Sequence, residues 1–465
     1  MKNSMKKILL TVIFLTVISF GINGQTNVSG GIYSNTVWTL ANSPYIVTDT
    51  VVVFPGVTLT IQPGVTVKFE NDKRIEIRNA KLIAIGTATD SITFTSNAAI
   101  PTPGIWSSIF LNDCPNPIKI SYCNFKYGLM GVSGSGDTLI IKNSNFNYNS
   151  WQSINYGQLI KLDSCNFKNS FTGIANVSGY LNMNNCDFKD NIYGVDSWDG
   201  NIIMNTCRFK NNTTAVNGDN ATFINMDNCV ISNNQTGVHM SNNMGQLKII
   251  NSIVDSNSVY GLNIIESYHD TVINCKIKRN EIGIFCGAWV FITMNIIEEN
   301  NYGIKVGHPQ FNIFCNKICN DTTYDLYYET NVNANISNNY WCTSDSAIIS
   351  SHIYDGYDNI SIGLLTFLPI DTINCYLITE IPINKSMEFS FTIFPNPASD
   401  HLTLKFAQNT SKAEIKIYNL LGELRSTSRK SSTESTIDIS DLSSGVYIIE
   451  VTTEKNIMRQ KFIKQ

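Results

Sequence analysis

Charge is scarce in this sequence. Only 15% of the 465 residues are charged, with 33 Lys+Arg against 37 Asp+Glu and a formal net charge of −4. Because a dedicated nucleic-acid binder carries a clear excess of basic residues, this balance excludes nucleic acid as an expected partner. The hydrophobic fraction of 43% excludes wholesale disorder. Polarity comes mainly from Asn, Ser and Thr, which favour turns and repetitive β-structure over helix.

Long apolar runs are lacking outside the N-terminus. After residue 24 no stretch reaches about 18 uninterrupted apolar residues, so no membrane span is expected. Lys2, Lys6 and Lys7 precede an apolar run over residues 8–20, which is shorter than the roughly 20 residues that a membrane helix needs. This arrangement predicts a secretory signal peptide over residues 1–24.

Internal repetition dominates the rest of the chain. One position, here called the slot position, recurs every 20–23 residues. It is occupied in six repeats by Cys123, Cys165, Cys186, Cys207, Cys229 and Cys275, and in four others by Ser144, Ser252, Asn295 and Asn316. Five residues after it comes an Asn, here called the corner Asn, as at Asn191 and Asn212. Asn tolerates the left-handed backbone of a sharp bend and can hydrogen-bond the neighbouring repeat.

Each repeat holds three short apolar segments, of which the last begins with a Gly-aliphatic pair such as Gly194-Val195. Three strands per turn, with one inward-facing row every ~22 residues, predict an all-β, right-handed parallel β-helix. Leucine-rich repeats share this period but need a different Leu spacing and a helix-forming half, and neither is present. We expect roughly 14 coils in all, with N-terminal coils over residues 25–110 and regular repeats over residues 111–375.

The cysteines fall into two groups. Those at the slot position are predicted to be buried thiols that pack as small hydrophobes, so a Ser at Cys186 or Cys207 is expected to bury an unneeded hydroxyl. Six others lie off this register and are candidates for disulfides in an exported protein, namely Cys114, Cys286, Cys315, Cys319, Cys342 and Cys375. Cys315 and Cys319 alone are a weak metal signal, and we expect neither a metal nor a cofactor.

A different pattern begins near residue 390, after a linker at residues 376–389. Residues 390–465 hold about seven short alternating segments, which predict a small β-sandwich. Its motif residues are Pro395, Asn396, Pro397, Gly422, Gly445 and Tyr447.

In this order, the motifs closely resemble the C-terminal sorting domain of type IX secretion substrates. The repeats, together with Gly104-Ile105-Trp106 and Asn339-Tyr340-Trp341, resemble the pectate-lyase-like secreted β-helix proteins common in Bacteroidetes. The sorting-domain resemblance implies the type IX secretion machinery as a partner and removal of residues after about 390. It also implies localisation by way of the periplasm, either released or attached to lipopolysaccharide on the outer surface. The alternative is an accessory sandwich without a sorting role.

Polar and aromatic residues gather after the Gly-aliphatic segment of successive coils. Asp196, Asn217, His239 and Asn263 follow that segment one coil apart. An aromatic ring can stack on a sugar while Asn and Asp take its hydroxyls, so we expect an exported protein that binds or displays glycan without catalysis. The candidate ligand-binding residues are Asp196, Trp198, Asp199, Asn217, His239 and Tyr156. The plainer interpretation is that loops at the corners of a β-helix are polar in any case.

Catalysis is the alternative function, as a polysaccharide lyase or glycoside hydrolase acting along the β-helix. A hydrolase needs two carboxylates about 5 Å or about 6.5–9.5 Å apart. Asp196 has no carboxylate at its own register in either neighbouring coil, and Asp199 and Asp219 remain loop candidates, so no catalytic residue is assigned. A row of Lys126, Lys168, Lys189 and Lys210 suits an acidic polysaccharide, although such rows are more often solvated edges.

Overall fold

The computed structural model describes residues 24–241, 244–371, 391–396, 398–406, 413–419, 424–430, 434–452 and 457–464. The chain separates into two compact units, Met1–Ile381 and Pro382–Gln465. The predicted linker, Cys375, Pro397, Gly422 and all but the last residue of the predicted signal peptide lie outside the described residues.

The first unit is a right-handed parallel β-solenoid of about 14 turns, as predicted, and its strands form three faces. Face A is a 13-stranded sheet of Thr36–Trp38, Thr58–Ile61, Lys81–Ile85, Ile118–Ser121, Thr138–Lys142, Leu159–Asp163, Tyr180–Asn184, Asn201–Asn205, Phe223–Asp227, Gln246–Ile250, Asp270–Ile273, Val290–Thr293 and Phe311–Phe314. Faces B and C belong to one 27-stranded assembly, because Thr26–Ile32 and Tyr45–Val53 run across both.

Face B contains the slot segments. Its strands are Thr66–Phe69, Ile92–Ser96, Cys123–Lys126, Asn145–Asn147, Asn166–Lys168, Asp187–Lys189, Arg208–Lys210, Val230–Ser232, Ile253–Asp255, Lys276–Lys278, Ile296–Glu298 and Lys317–Cys319. Face C contains the Gly-aliphatic segments. Its strands are Ile75–Arg78, Ile109–Cys114, Met130–Gly136, Gln152–Tyr156, Thr172–Val177, Tyr193–Trp198, Thr214–Asp219, Thr236–Ser241, Tyr260–Ile265, Ile282–Gly287, Tyr302–Val306, Tyr324–Tyr328 and Ile353–Tyr354.

The core is built from side chains that repeat in register from coil to coil. On face B six successive coils stack their inward rings with centroids 4.7–4.9 Å apart, at Phe94, Phe125, Phe146, Phe167, Phe188 and Phe209. All six are essentially unexposed. Each such pair adds about 0.5–1.5 kcal/mol to the gain from burial itself, so identical residues at one register position reinforce the coil spacing.

Two left-handed residues per coil make the corners on either side of face B. One precedes the slot position, as at Asn185 (φ 52°) and Thr206 (φ 53°), and the other precedes the corner Asn, as at Asp190 and Asn211 (both φ 57°). The left-handed backbone that we expected at the corner Asn therefore belongs to the residue before it. Asn and Asp are common here because they adopt this conformation at low cost.

The corner Asn residues form a continuous stack, here called the asparagine ladder. In each coil the backbone N–H and the side-chain Nδ2 both donate to the Oδ1 of the next coil, over 2.9–3.1 Å. The ladder runs through Asn191, Asn212, Asn234, Asn257, Asn280 and Asn300. The predicted hydrogen bonding between neighbouring coils is confirmed, and it satisfies backbone donors at a corner that no strand pairing reaches.

The slot position is buried throughout, and its six cysteines are free thiols. Burial raises the pKa of the Cys275 thiol to about 12. A buried serine hydroxyl was expected to be unneeded at this position, but a natural serine in the slot of another coil has hydrogen-bond partners. The natural Ser144 donates from Oγ to the Lys142 carbonyl at 2.8 Å and accepts from the Cys123 N–H at 3.1 Å. A buried hydroxyl therefore finds both a donor and an acceptor in the slot.

Some of the off-register cysteines do pair. Cys319 and Cys342 form a disulfide with a Cα–Cα distance of 6.0 Å, whereas Cys114 and Cys286 are buried free thiols. Near the C-terminal end of the solenoid lie a short helix, Ser346–Ser351, and a two-stranded pairing of Ala334–Asn335 with Leu365–Thr366. At the other end a 3₁₀ turn spans Leu40–Asn42.

The second unit consists of two antiparallel sheets. One contains Phe391–Phe394, His401–Phe406 and Glu434–Asp438, and the other contains Ala413–Asn419, Leu424–Lys430, Gly445–Thr452 and Ile457–Lys464. Buried side chains from both sheets form one apolar core, as expected of a small sandwich. The motif residue Tyr447 is part of it: its ring stacks on Phe462 at 5.6 Å and its hydroxyl donates to the Ser443 carbonyl at 2.9 Å. Of the other motif residues, Pro395 and Asn396 are exposed and Gly445 opens its strand.

Candidate functional site

Outward side chains on face C line up in successive coils, and four of them form what we call the face C polar row. Asp196 pairs in register with Asn217, Asn217 with His239, and His239 with Asn263. The sequence predicted this alignment, because each residue follows the aliphatic residue that points into the core. Strand pairing brings the side chains to one row with a spacing of about 4.8 Å.

A single amide joins two carboxylates in this row. Asn217 Nδ2 donates to Asp196 Oδ1 at 2.9 Å and to Asp219 Oδ2 at 2.8 Å. The distance between the two carboxyl oxygens is therefore no greater than the sum of these two hydrogen-bond lengths. Asp219 lies two positions beyond Asn217 on the same strand, so its side chain leaves the same side of the sheet.

Partial burial shifts the pKa values of Asp196 and His239 in this row. It raises the pKa of Asp196, a change that the Asn217 hydrogen bond opposes and the nearby Asp219 charge reinforces. Burial also lowers the pKa of His239, against the opposing influence of Asp219. The imidazole is therefore neutral at physiological pH, and its Nδ1 lies 2.9 Å from the Asn263 Nδ2 donor. With Nδ1 accepting, the remaining ring nitrogen carries the proton and serves as a donor.

Trp198 lies beside these polar groups and is 54% exposed. It pairs in register with Asp219 of the next coil and Val177 of the preceding one. Many aromatics on the solenoid stack on the equivalent ring of the next coil, which covers their faces. Trp198 has no such ring contact within the described residues, so it presents an open indole face next to hydrogen-bonding groups.

Two of the predicted ligand-binding residues have other roles. The prediction that Tyr156 binds a ligand is wrong, because Tyr156 occupies an inward position of its strand and is fully buried in the core. Its hydroxyl lies 3.3 Å from the Asp137 carbonyl oxygen. Asp199 is exposed beside Trp198, but it lies at a left-handed turn (φ 57°) and accepts the Ala221 N–H at 3.1 Å. Its carboxylate holds the turn.

Sequence reasoning missed the far end of this row. Beyond Asn263 the same register continues through Phe285, Lys305, Tyr327 and Tyr354. The Tyr327 and Tyr354 rings stack at 4.3 Å, and Lys305 Nζ lies 5.1 Å from the Tyr327 ring centroid. Following the Gly-aliphatic register beyond residue 263 would have found these residues.

Two family models match parts of the chain. The secretion system C-terminal sorting domain matches residues 392–465, and the right handed beta helix region matches residues 128–277. The chain thus carries a type IX sorting domain behind a β-helix, and it is exported to the cell surface or secreted. Within the described residues, no helix is both long and apolar enough to cross a membrane. No group of three or more His, Cys, Asp or Glu side chains there is arranged to hold a metal ion.

Two solved structures match the chain at low similarity. A mutant of the periplasmic alginate epimerase AlgG has 13% identity and a TM-score of 0.29, with 70% of this chain and 76% of that chain covered. The gp42 tailspike of Acinetobacter phage vb_AbaP_AS12 has 9% identity and a TM-score of 0.24, with 95% and 77% covered. Scores this low support no inference about function. None of the curated proteins compared with the chain matches it significantly.

Proposed function

We propose that this exported β-helix binds a glycan along face C, with Trp198 and the face C polar row as the contact surface. The observation that carries the proposal is the open indole of Trp198 in register with Asp219, whose carboxylate shares the Asn217 amide with Asp196. A sugar has an apolar ring face and hydroxyls at its edge. The exposed indole ring can stack on the ring face while the neighbouring carboxylates and amide hydrogen-bond the hydroxyls.

The charges of the site favour an uncharged glycan. Asp196 and Asp219 are acceptors for hydroxyl donors, and neutral His239 contributes a donor. A polyanion would be repelled by the two carboxyl groups unless both were protonated. The register row also continues along the solenoid axis toward Tyr327 and Tyr354. An extended polysaccharide therefore suits it better than a single sugar.

The test is binding of the purified full chain to a panel of neutral polysaccharides, measured by affinity gel electrophoresis and calorimetry. Trp198→Ala should weaken binding to the retained polymer by at least about tenfold, the loss typical of a central aromatic contact. Tyr33→Ala is the matched control, because Tyr33 is 74% exposed beside the first strand of the solenoid, many coils away from Trp198. Equal losses in the two variants, or no retention of any neutral polymer, would contradict the proposal.

Hydrolysis is the second candidate, and the Asn217-bridged pair is the observation that favours it. A retaining glycosidase has two carboxyl groups about 5 Å apart, one with a raised pKa, and here one amide hydrogen-bonds two carboxyl groups, of which Asp196 has a raised pKa. The sequence did not predict such a pair because Asp219 belongs to a different register row from Asp196. Release of new reducing ends by the full chain, lost in both Asp196→Asn and Asp219→Asn, would establish turnover. Binding without reducing ends, which we expect, leaves the site a binding surface.

A further inference from the structure

Face B carries a second row of outward side chains, and it is basic. Lys126, Asn147, Lys168, Lys189 and Lys210 pair in register over five successive coils. The sequence predicted the lysines as a row, and the structure adds that they border a shallow groove of about 260 Å³ on the outer surface. We call Lys168, Lys189 and Lys210, which line that groove, the face B lysine row.

The carboxylates near this row are already neutralised. Asp187 accepts two charge-assisted hydrogen bonds from Arg208, both at 2.6 Å, and Asp190 pairs with Lys189 at 3.3 Å. Among the described residues, no carboxylate oxygen lies within 4.0 Å of Lys168 or Lys210. The groove therefore has positive charge that no protein group compensates.

The positive charge of this groove contrasts with the negative net charge of the solenoid as a whole. The predicted signal carries +3 and residues 390–465 carry +2, which leaves a net charge of −9 on residues 25–389. A basic groove is stronger evidence for an anionic partner on an acidic solenoid than on a basic one, because the overall composition does not account for it. It also attracts a polyanion locally while the acidic remainder discourages binding elsewhere.

The neighbouring outer row begins with hydrogen-bonded amides beside Lys126, Asn147 and Lys168. It continues with Asp187 and Arg208 beside Lys189 and Lys210. Asn145 Nδ2 donates to Asn124 Oδ1 at 2.9 Å, and Asn166 Nδ2 donates to Asn145 Oδ1 at 2.8 Å. Amides beside ammonium groups can bind hydroxyls beside carboxylates. Neither outer row of face B between Asn124 and Ser232 contains an aromatic residue, so these two rows offer no stacking surface of the kind that single-stranded nucleic acids use.

We propose that the face B lysine row binds a linear acidic polysaccharide whose repeating carboxylates lie opposite successive coils. The lysines recur about every 4.8 Å along the axis, which is the spacing of paired strands. This matches a chain with one carboxylate per sugar, since an extended sugar unit has a similar length. This site lies on a different face from the proposed neutral-glycan surface, so the protein would bind two kinds of polysaccharide at once.

Polygalacturonate is the probe, with dextran as the uncharged comparison and single-stranded DNA as the other polyanion. The full chain should bind polygalacturonate at low salt, lose most of that binding in 0.3 M NaCl, and bind DNA more weakly. Combined Lys168→Ala, Lys189→Ala and Lys210→Ala should reduce affinity about tenfold, because each exposed ionic contact contributes modestly. Replacement of the same three residues by Arg should retain binding.

The matched control is Lys119→Ala, Lys161→Ala and Lys248→Ala, which removes the same charge from exposed positions of face A. An equal loss in this control would show a general charge effect and overturn the proposal. Tighter binding of DNA than of polygalacturonate, or salt-independent binding, would also overturn it. Trp198→Ala should leave polygalacturonate binding unchanged, so failure of the face C proposal and failure of this one are distinguishable.

Discussion

Asn300 donates both its backbone N–H and its side-chain Nδ2 to the same oxygen of Asp321, at 2.6 and 3.0 Å. The asparagine ladder thus ends on a carboxyl group, whereas each ladder residue from Asn191 to Asn300 has an amide. Asp321 is only 3% exposed, and its second oxygen has no hydrogen-bond partner within the described residues. Burial raises its pKa to about 8, and the neighbouring Asp325 contributes to the rise although the Asn300 N–H opposes it. The folded chain therefore holds this carboxyl protonated at neutral pH.

Stability should consequently fall as the pH rises. An unfolded Asp releases its proton near pH 3.8 whereas folded Asp321 retains it to about pH 8. Between these values the folded state binds the extra proton, so the free energy of unfolding decreases with pH across this window. Urea unfolding midpoints at intervals from pH 4 to pH 8.5 measure the slope.

Asp321→Asn should remove much of that slope. An amide cannot ionise, and it supplies the Nδ2 donor that each earlier ladder residue directs to a carbonyl, as Asn300 does to Ile277 at 3.2 Å. We expect about 1–3 kcal/mol of stabilisation at pH 8 and little change at pH 4. Identical pH slopes for the natural chain and the variant would show that Asp321 is not the group responsible.

Loss of an internal ladder residue should be costly. Asn257 accepts from the N–H and the Nδ2 of Asn234, both at 3.0 Å, and donates to Asn280 and Ile231. Asn257→Ala leaves several buried groups without partners, and we expect a loss of about 2–4 kcal/mol in the free energy of unfolding. Asn145→Ala is the control, because Asn145 also bonds the preceding coil but is exposed on face B. A cost as small as the control's would mean that water enters the corner.

Serine should be tolerated at the slot position. Cys186 Sγ already donates to the Asn184 carbonyl at 3.3 Å, as Ser144 Oγ does to Lys142. We therefore expect Cys186→Ser to cost less than about 1 kcal/mol, and Cys186→Val, which crowds the slot and has no donor, to cost about 1–3 kcal/mol. Thermal unfolding of the two variants under reducing conditions decides between them. The opposite order would restore the purely hydrophobic account of the slot.

Export should depend on the second unit. Deleting residues 390–465 should leave a folded β-helix in the periplasm, because each coil contacts only its neighbours and the solenoid has its own core. Immunoblots of periplasm, surface and medium from a host with the matching secretion system measure this. The same segment fused behind a signal peptide and a reporter should carry the reporter out. Unchanged secretion after the deletion would mean that the unit is not required for sorting.

The sequence by itself determined the features that recur from coil to coil. The slot cysteines, the corner Asn and the Gly-aliphatic pair recur at one spacing, and in a stack where each coil contacts only the next, that spacing specifies the architecture. The alignment of Asp196, Asn217 and His239 followed from the same arithmetic. The sorting domain was also recognisable, because its motif residues follow a fixed order along the chain.

Only the tertiary structure decided what each side chain contacts away from its own register. Tyr156 proved to be core because an inward and an outward residue differ by one position. Asp219 joined Asp196 through Asn217 because side chains two positions apart leave the same side of a strand and reach diagonally to the next coil. The protonation of Asp321 was likewise beyond the sequence, because burial and the donors around a carboxyl exist only once the coils are stacked.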